Sequence, residues 1–429
     1  MSGINARPLP SGDVTVHANG HLTLATAGGQ RYELRSNGSI SSFRDGQTAA
    51  IFNQHGMVRA IHTPNLTVMR TRSGNRIILT HVADNGRLVS TGPHAGYMET
   101  NIVFGGRPYI QRTAIVNHQL ITSRYVGYSY GGVALNGFVA PFYYSPGFYA
   151  YAYNPWADPL AYDFGWDGAP WYGGPNPYFG AYAMYPSAAY WLTDYMIGQT
   201  LSAAYQIHQE ALADKDADYA SDVAGDNGDG SDDMQTVQAN ASTPISPEVK
   251  EQIAEEVKEQ IEIDRQNAAN KAEQVHHDEV ASAASQPNHV FLVGSDLDVM
   301  TDDGKYCSLQ AGDVLRVVTP LSPGQTAAQV RVASSQRADC PSGASVAVSL
   351  ENLQDMQNTF HAQVESGLGT MLAHQGDGIP AASLDAVAGK PQPTVDGPAP
   401  VKATELMGML NDQRDQADKA EVQVTASVQ

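Results

Sequence analysis

The chain has 429 residues, only 16% of them charged, with 25 basic against 45 acidic side chains and a formal net charge of -20. That length allows two to four domains. The acidic balance disfavours general nucleic-acid binding, which needs a basic footprint, and it offers little attraction to an anionic membrane surface. Residues 1–10 hold no apolar export segment, so the chain reads either as cytoplasmic or as a sequence lacking its export signal.

Residues 11–124 read as a strand-repeat domain. Gly20, Gly38, Gly56 and Gly74 recur at intervals of eighteen, and Gly28, Gly46 and Pro64 form a second set at the same spacing. Asn19-Gly20 and Asn37-Gly38 are hairpin steps, each set between alternating segments. Val14 and Val16, Leu22 and Leu24, and Tyr32 and Leu34 give each strand one apolar face. One such hairpin is marginal in water, so the units must stack or continue as a sheet. An antiparallel meander, a small propeller-like assembly and a flat ribbon all satisfy that. Tyr32, Gly38, Ile40 and Gly46 resemble in outline the YD-type strand repeats of bacterial surface and toxin-shell proteins. His17 and His21 flank the first turn and can face each other across it; they read as polar turn residues rather than metal ligands.

Residues 125–209 form a Tyr/Gly/Pro-rich span ending in an apolar helix. They hold sixteen of the 21 tyrosines and all 4 tryptophans. No Arg or Lys lies between Arg124 and Lys215, which argues against nucleic-acid stacking. Repeated Pro and Gly predict irregular chain over 143–185, and the same breaks exclude a transmembrane segment. The rings have three placements: an extended cap over the repeat domain, a stacking platform for glycans or other polymers, or a self-association surface. Tyr151, Tyr153, Trp156, Trp166, Trp171 and Tyr172 are the candidate binding surface. Trp191, Leu192, Tyr195 and Met196 give three-to-four spacing over 187–209, predicting a helix buried in the fold or at a contact between copies.

Residues 210–245 are an acidic linker. The stretch 225–233 has a calcium-loop composition, but Gly228 stands where an oxygen ligand is required. Ser246, Pro247 and Glu248 then open an amphipathic helix over 246–284, as N-cap, first-turn proline and dipole partner. Val249, Ile253, Val257 and Ile261 make a narrow stripe, suited to docking on another element or on a second copy. His276 and His277 point to different helix faces and read as solvated.

Residues 289–360 alternate as short strands. Leu297-Asp298-Val299 and Leu309-Gln310-Ala311-Gly312-Asp313-Val314-Leu315 resemble a bacterial SH3-like barrel, which implies binding of cell-wall peptides or other protein segments. Tyr306 is the one ring near that motif. The 2 cysteines of the chain, Cys307 and Cys340, both fall in this module; they predict a disulfide and an oxidising compartment. Residues 376–429 read as a linker and a short terminal helix carrying Leu406, Met409 and Leu410.

The expected fold is therefore mainly β with helices, ending in the small barrel. No nucleophile elbow, zinc-binding His-Glu-x-x-His or phosphate loop is present in the sequence. The expectation is a structural or binding protein of the bacterial cell envelope, periplasmic or extracellular, with no catalytic residue, cofactor or metal. Its partner would be cell-wall polymer or another envelope protein. The alternatives are a polysaccharide- or peptidoglycan-directed hydrolase using Asp158, Asp163 or Asp167 beside the rings, and a toxin-associated shell protein.

Overall fold

A computed structural model describes residues 11–17, 21–53, 55–72, 74–82, 86–104, 106–116, 119–173, 177–213, 242–270, 279–337, 339–382, 392–393 and 401–428. The stretch 225–233 and the pair His276 and His277 lie outside these residues.

The eighteen-residue period is a period of turns. Gly38, Gly56 and Gly74 have φ of 83°, 83° and 92°, a region that costs any residue with a Cβ. Their amides donate to the carbonyls of Arg35, Asn53 and Thr71, so one tight turn is repeated unit by unit. In the second set Gly29, not Gly28, takes the positive φ, at 87°. The strands between these turns are β1 (Gly12–Val16), β2 (Leu22–Thr26), β3 (Arg31–Leu34), β4 (Ile40–Asp45), β5 (Thr48–Phe52), β6 (Val58–His62), β7 (Leu66–Arg70) and β8 (Arg76–Val82). Longer strands follow: β9 (Gly86–Ser90), β10 (Gly96–Phe104), β11 (Arg107–Val116), β12 (Gln119–Tyr130) and β13 (Val133–Val139). All are antiparallel neighbours in chain order, giving a 13-stranded open meander. Tyr32, Ala50 and Val68, each one period apart, are buried, as are Phe43 and Ile61. The repeat thus stacks an apolar ladder along one face. The sheet passes residue 124 and takes in the first tyrosines of the aromatic span.

After β14 (Phe142–Tyr143) come α1 (Pro146–Tyr153), β15 (Pro155–Leu160), β16 (Tyr185–Ser187) and α2 (Ala188–Ala213). The stretch 143–185 is thus less irregular than its prolines predict. The reason is local: Ser145 caps α1 by accepting from the Phe148 amide, and Pro146 occupies the first turn, where a missing N–H costs nothing. The amphipathic helix α3 (Pro247–Asn270) and the short α4 (Glu279–Ser285) follow.

The C-terminal strands are β17 (Val290–Leu292), β18 (Leu297–Thr301), β19 (Tyr306–Leu309), β20 (Val314–Val317), β21 (Ala327–Ser334) and β22 (Ser345–Ser349). They form a 6-stranded sheet in the order β17-β20-β21-β22-β18-β19, whose end strands do not pair. The SH3-like barrel is therefore not formed. The apolar face that closure would have buried is covered instead by Val280, Ala281 and Ala284 of α4 and by Leu350, Leu353 and Met356 of α5 (Leu350–Ala373). Cys307 and Cys340 are bonded inside this core, and such a cross-link contributes ~2–4 kcal/mol.

Strand β23 (Gln392–Pro393) returns to pair with β14, and α6 (Ala403–Val428) lies back on the repeat sheet. Ala417 and Val424 join the ladder formed by Tyr32, Phe43 and Ile61, while Leu406 and Leu410 meet Leu88 and Ile115. Gln413 donates to the carbonyls of Ile78 and Leu88 and to Thr80 Oγ1. Arg76 and Arg70 clamp the helix through Asp418 at 2.7 Å and Glu421 at 2.9 Å. The terminal helix is therefore 26 residues long and integral to the fold. With α2, α3 and α5 also 24 to 26 residues long, the fold is mixed α/β rather than mainly β. Among the described residues no helix is long and apolar enough to cross a membrane.

Candidate functional site

The aromatic span does not cap the repeat sheet. Its rings form their own core with α1, α2, α3 and α5, around the buried Tyr144, Phe148, Tyr149, Tyr185 and Trp191. The reason is occupancy: α6 already covers the apolar ladder. The stripe Val249, Ile253, Val257 and Ile261 of α3 closes the other side of this aromatic core, so it docks on an element of its own chain.

The six candidate rings are placed differently. Trp156 is buried, at 8% exposure, and the other five are half-buried. Tyr151 stacks on Phe148 and donates to the Pro380 carbonyl at 2.5 Å; burial pushes its hydroxyl up to about 12. Tyr153 lies 5.5 Å from the Lys258 ammonium. Trp166 stacks on Phe164, with centroids 4.1 Å apart, and rests on Gly198 of α2, where any Cβ would collide with it. Trp171 and Tyr172 pack on Trp166 at 5.4 and 5.6 Å. The structure thus brings Trp166, Trp171 and Tyr172 into one ring cluster. Asp158, Asp163 and Asp167 are exposed, and Asp163 accepts from the Gly165 amide. His17 reaches Thr23 Oγ1 at 2.7 Å rather than the His21 ring.

A buried ion pair pins this core. Asp194 of α2 is fully buried and lies 2.6 Å from Lys250 Nζ of α3. The carboxylate also accepts from the Tyr182 amide at 2.6 Å and from Tyr185 Oη at 2.9 Å. Lys250 donates to the Gly180 carbonyl, and its ammonium sits 3.5 Å from the centroid of the Tyr182 ring. Desolvation raises the Asp194 carboxyl and lowers the Lys250 ammonium, while each holds the other charged. One signal in the sequence pointed here: Asp194 is the single charge on an otherwise apolar run, and a buried acid needs a partner. Nothing in the local sequence identifies Lys250 as that partner.

Beside this core a cleft of about 650 Å³ opens between the repeat sheet, α2, α5 and the C-terminal sheet. Trp171 lines it, so the ring cluster and the cleft are continuous. Its sheet wall carries Tyr97, Arg112, Ser123 and Tyr125, and its helical walls carry Gln199, Tyr205, Gln206, Asn352 and Gln363.

Comparison with protein-family models, with curated proteins and with solved structures finds no match to this chain.

What the cleft can do is therefore read from its own chemistry. Arg112 lies between the rings of Tyr97 and Tyr125, at 4.3 and 4.9 Å, and pairs with Glu99 at 2.7 Å. Glu99 also pairs with Arg87 at 2.5 Å, and Asp355 stands 3.7 Å from Arg112. Two cations thus face two carboxylates, and the guanidinium is fixed in place. On the opposite wall Asp313, fully buried, accepts from the Gln310 amide at 2.9 Å and the Gln336 amide at 2.8 Å. It joins the two loops that line the cleft there. Burial pushes its carboxyl up to about 7, against the pull of those two amides. His208 on α2 is lowered by burial and by the Arg337 charge.

Proposed function

We propose that this chain is a non-catalytic binding protein of the bacterial cell envelope, working in an oxidising compartment and engaging cell-wall polymer or another envelope protein. The observation that carries this reading is Trp171. Its ring is held by Trp166 and Tyr172, yet it remains half in water at the wall of an open cleft. A rigid, part-wetted aromatic set is a low-entropy contact surface, because each ring brings large area with few rotamers to freeze. The Cys307–Cys340 bond supports the compartment, since such bonds persist in oxidising surroundings.

Two measurements test the proposal. Intact mass after thiol labelling of native protein from its own cells should show no labelled cysteine; two labelled thiols would remove the support for export. Retention on purified cell-wall polymer or on immobilised envelope extract should fall in Trp171→Ala and Tyr172→Ala. Equal retention of parent and variants would refute the binding role of the rings.

A further inference from the structure

The cleft has features that select among ligands. Its volume of about 650 Å³ lies within the range of roughly 300–1,000 Å³ typical of small-ligand sites. Strands β9 to β12, which form its floor, are each paired on both sides. The repeat sheet offers no edge there, so a peptide cannot add to that sheet as a further strand. Residues 203 to 208 of α2 all line the cleft, and six consecutive residues point in every direction around a helix. The space therefore follows more than one side of α2, which packs on Gly92 through Ile207 and on Gly312 through Leu201.

The lining chemistry is that of neutral hydrogen bonding. Gln199, Gln206, Asn352 and Gln363 face it, and each amide offers both donors and an acceptor. Of the charged side chains that line it, Arg112 is held by Glu99 and Asp355, and Asp296 accepts from the Ala311 amide and the Asn75 side chain; Glu210 and Arg337 line it as well. Tyr205 and Trp171 add ring surface. Amides for hydroxyl groups and rings for C–H faces together describe a sugar chain.

Building on the binding-protein reading above, but not on export, we infer that this cleft takes a short, hydroxyl-rich glycan beside α2. Ala204, half-buried on the lining of α2, is the position at which to block it.

The test is calorimetric titration of the full chain with an N-acetylglucosamine trimer, maltotriose and a neutral tripeptide. At least one of the two glycans binds the parent and the tripeptide does not. Ala204→Trp, which fills the cleft, weakens that binding at least about tenfold, and Tyr205→Ala weakens it about two- to tenfold. Both variants keep the parent's circular dichroism and melting temperature within a few degrees. Should Ala204→Trp misfold, Gln206→Leu supplies the same test by removing an amide without adding bulk. Failure of the parent to bind either glycan, unchanged binding in the correctly folded variants, or binding of the tripeptide alone would each overturn the inference. Retention on envelope extract and the thiol state are measured separately, so loss of the glycan site leaves the broader function standing or falling on its own results.

Discussion

Replacing Lys250 by methionine tests the ion pair at the centre of the aromatic core. Methionine keeps most of the stem and removes the charge, so packing changes little. Asp194, at 0% exposure, would then retain only the Tyr182 amide and Tyr185 Oη as partners. Breaking a buried pair on one side costs about 3–5 kcal/mol, because the remaining charge is left without compensation. That is a large share of the roughly 5–15 kcal/mol that holds a protein folded. The double variant Asp194→Asn/Lys250→Met removes both charges and should recover most of the loss, leaving about 1–2 kcal/mol for hydrogen bonds no longer made. Urea titration followed by tryptophan emission is the appropriate assay. Trp156, Trp166, Trp171 and Trp191 all belong to or pack on this one core, so the signal reports its unfolding.

The sign of the pH dependence follows from Asp194. Its folded carboxyl is raised above the unfolded value, and without Lys250 it rises further. Stability attributable to the neutral acid is present below the unfolded value and is lost as pH climbs through the folded one. The deficit of Lys250→Met should therefore shrink as pH is lowered from 8 to 5. A loss below about 1 kcal/mol, or a double variant equal to the sum of the singles, would refute the view that the pair acts as one buried unit.

Reducing the Cys307–Cys340 bond, or changing both residues to serine, should cost ~2–4 kcal/mol, read as a lowered melting temperature in calorimetry. Asp313 has a folded value of about 7, above that of the unfolded chain, so its contribution is full below about pH 4 and fades as pH rises through about 7. Asp313→Asn should flatten the stability profile across that window, and an unchanged profile in urea titrations at several pH values would count against it. Gly198→Ala places a methyl group against the Trp166 ring; displacing the ring should cost about 1–3 kcal/mol and shift tryptophan emission.

The repeat was legible because its signals are short-range. Turn glycines and alternating apolar residues fix a strand and its neighbour within about eighteen positions, and Asn37-Gly38 or Tyr32 with Leu34 needs no distant partner to be read. The sheet's cover could not be read in the same way. The helix face of Leu406 and Leu410 is visible, but the residues it meets, Leu88 and Ile115, lie about three hundred residues upstream. The same difficulty hid the open C-terminal sheet, since Val280 and Leu353 cover it from outside the strands that suggested a barrel. One local signal is masked by its surroundings. Ser145-Pro146 has the same capping chemistry as Ser246-Pro247, but the aromatic residues and glycines around it give the pattern of a chain break. The cleft has no sequence signature at all: Gln206, Asn352 and Tyr97 become neighbours only when three separate elements meet.

The docking of α6 on the first strands also sets an order of events in synthesis. Tyr32 Oη donates to the carbonyl of Ser427, 395 residues later. At about 5–20 residues per second, roughly 20–80 s pass between the emergence of the two partners from the ribosome. Throughout that interval the greasy side of the early hairpins has no helix to lie under, and it is open to another nascent copy.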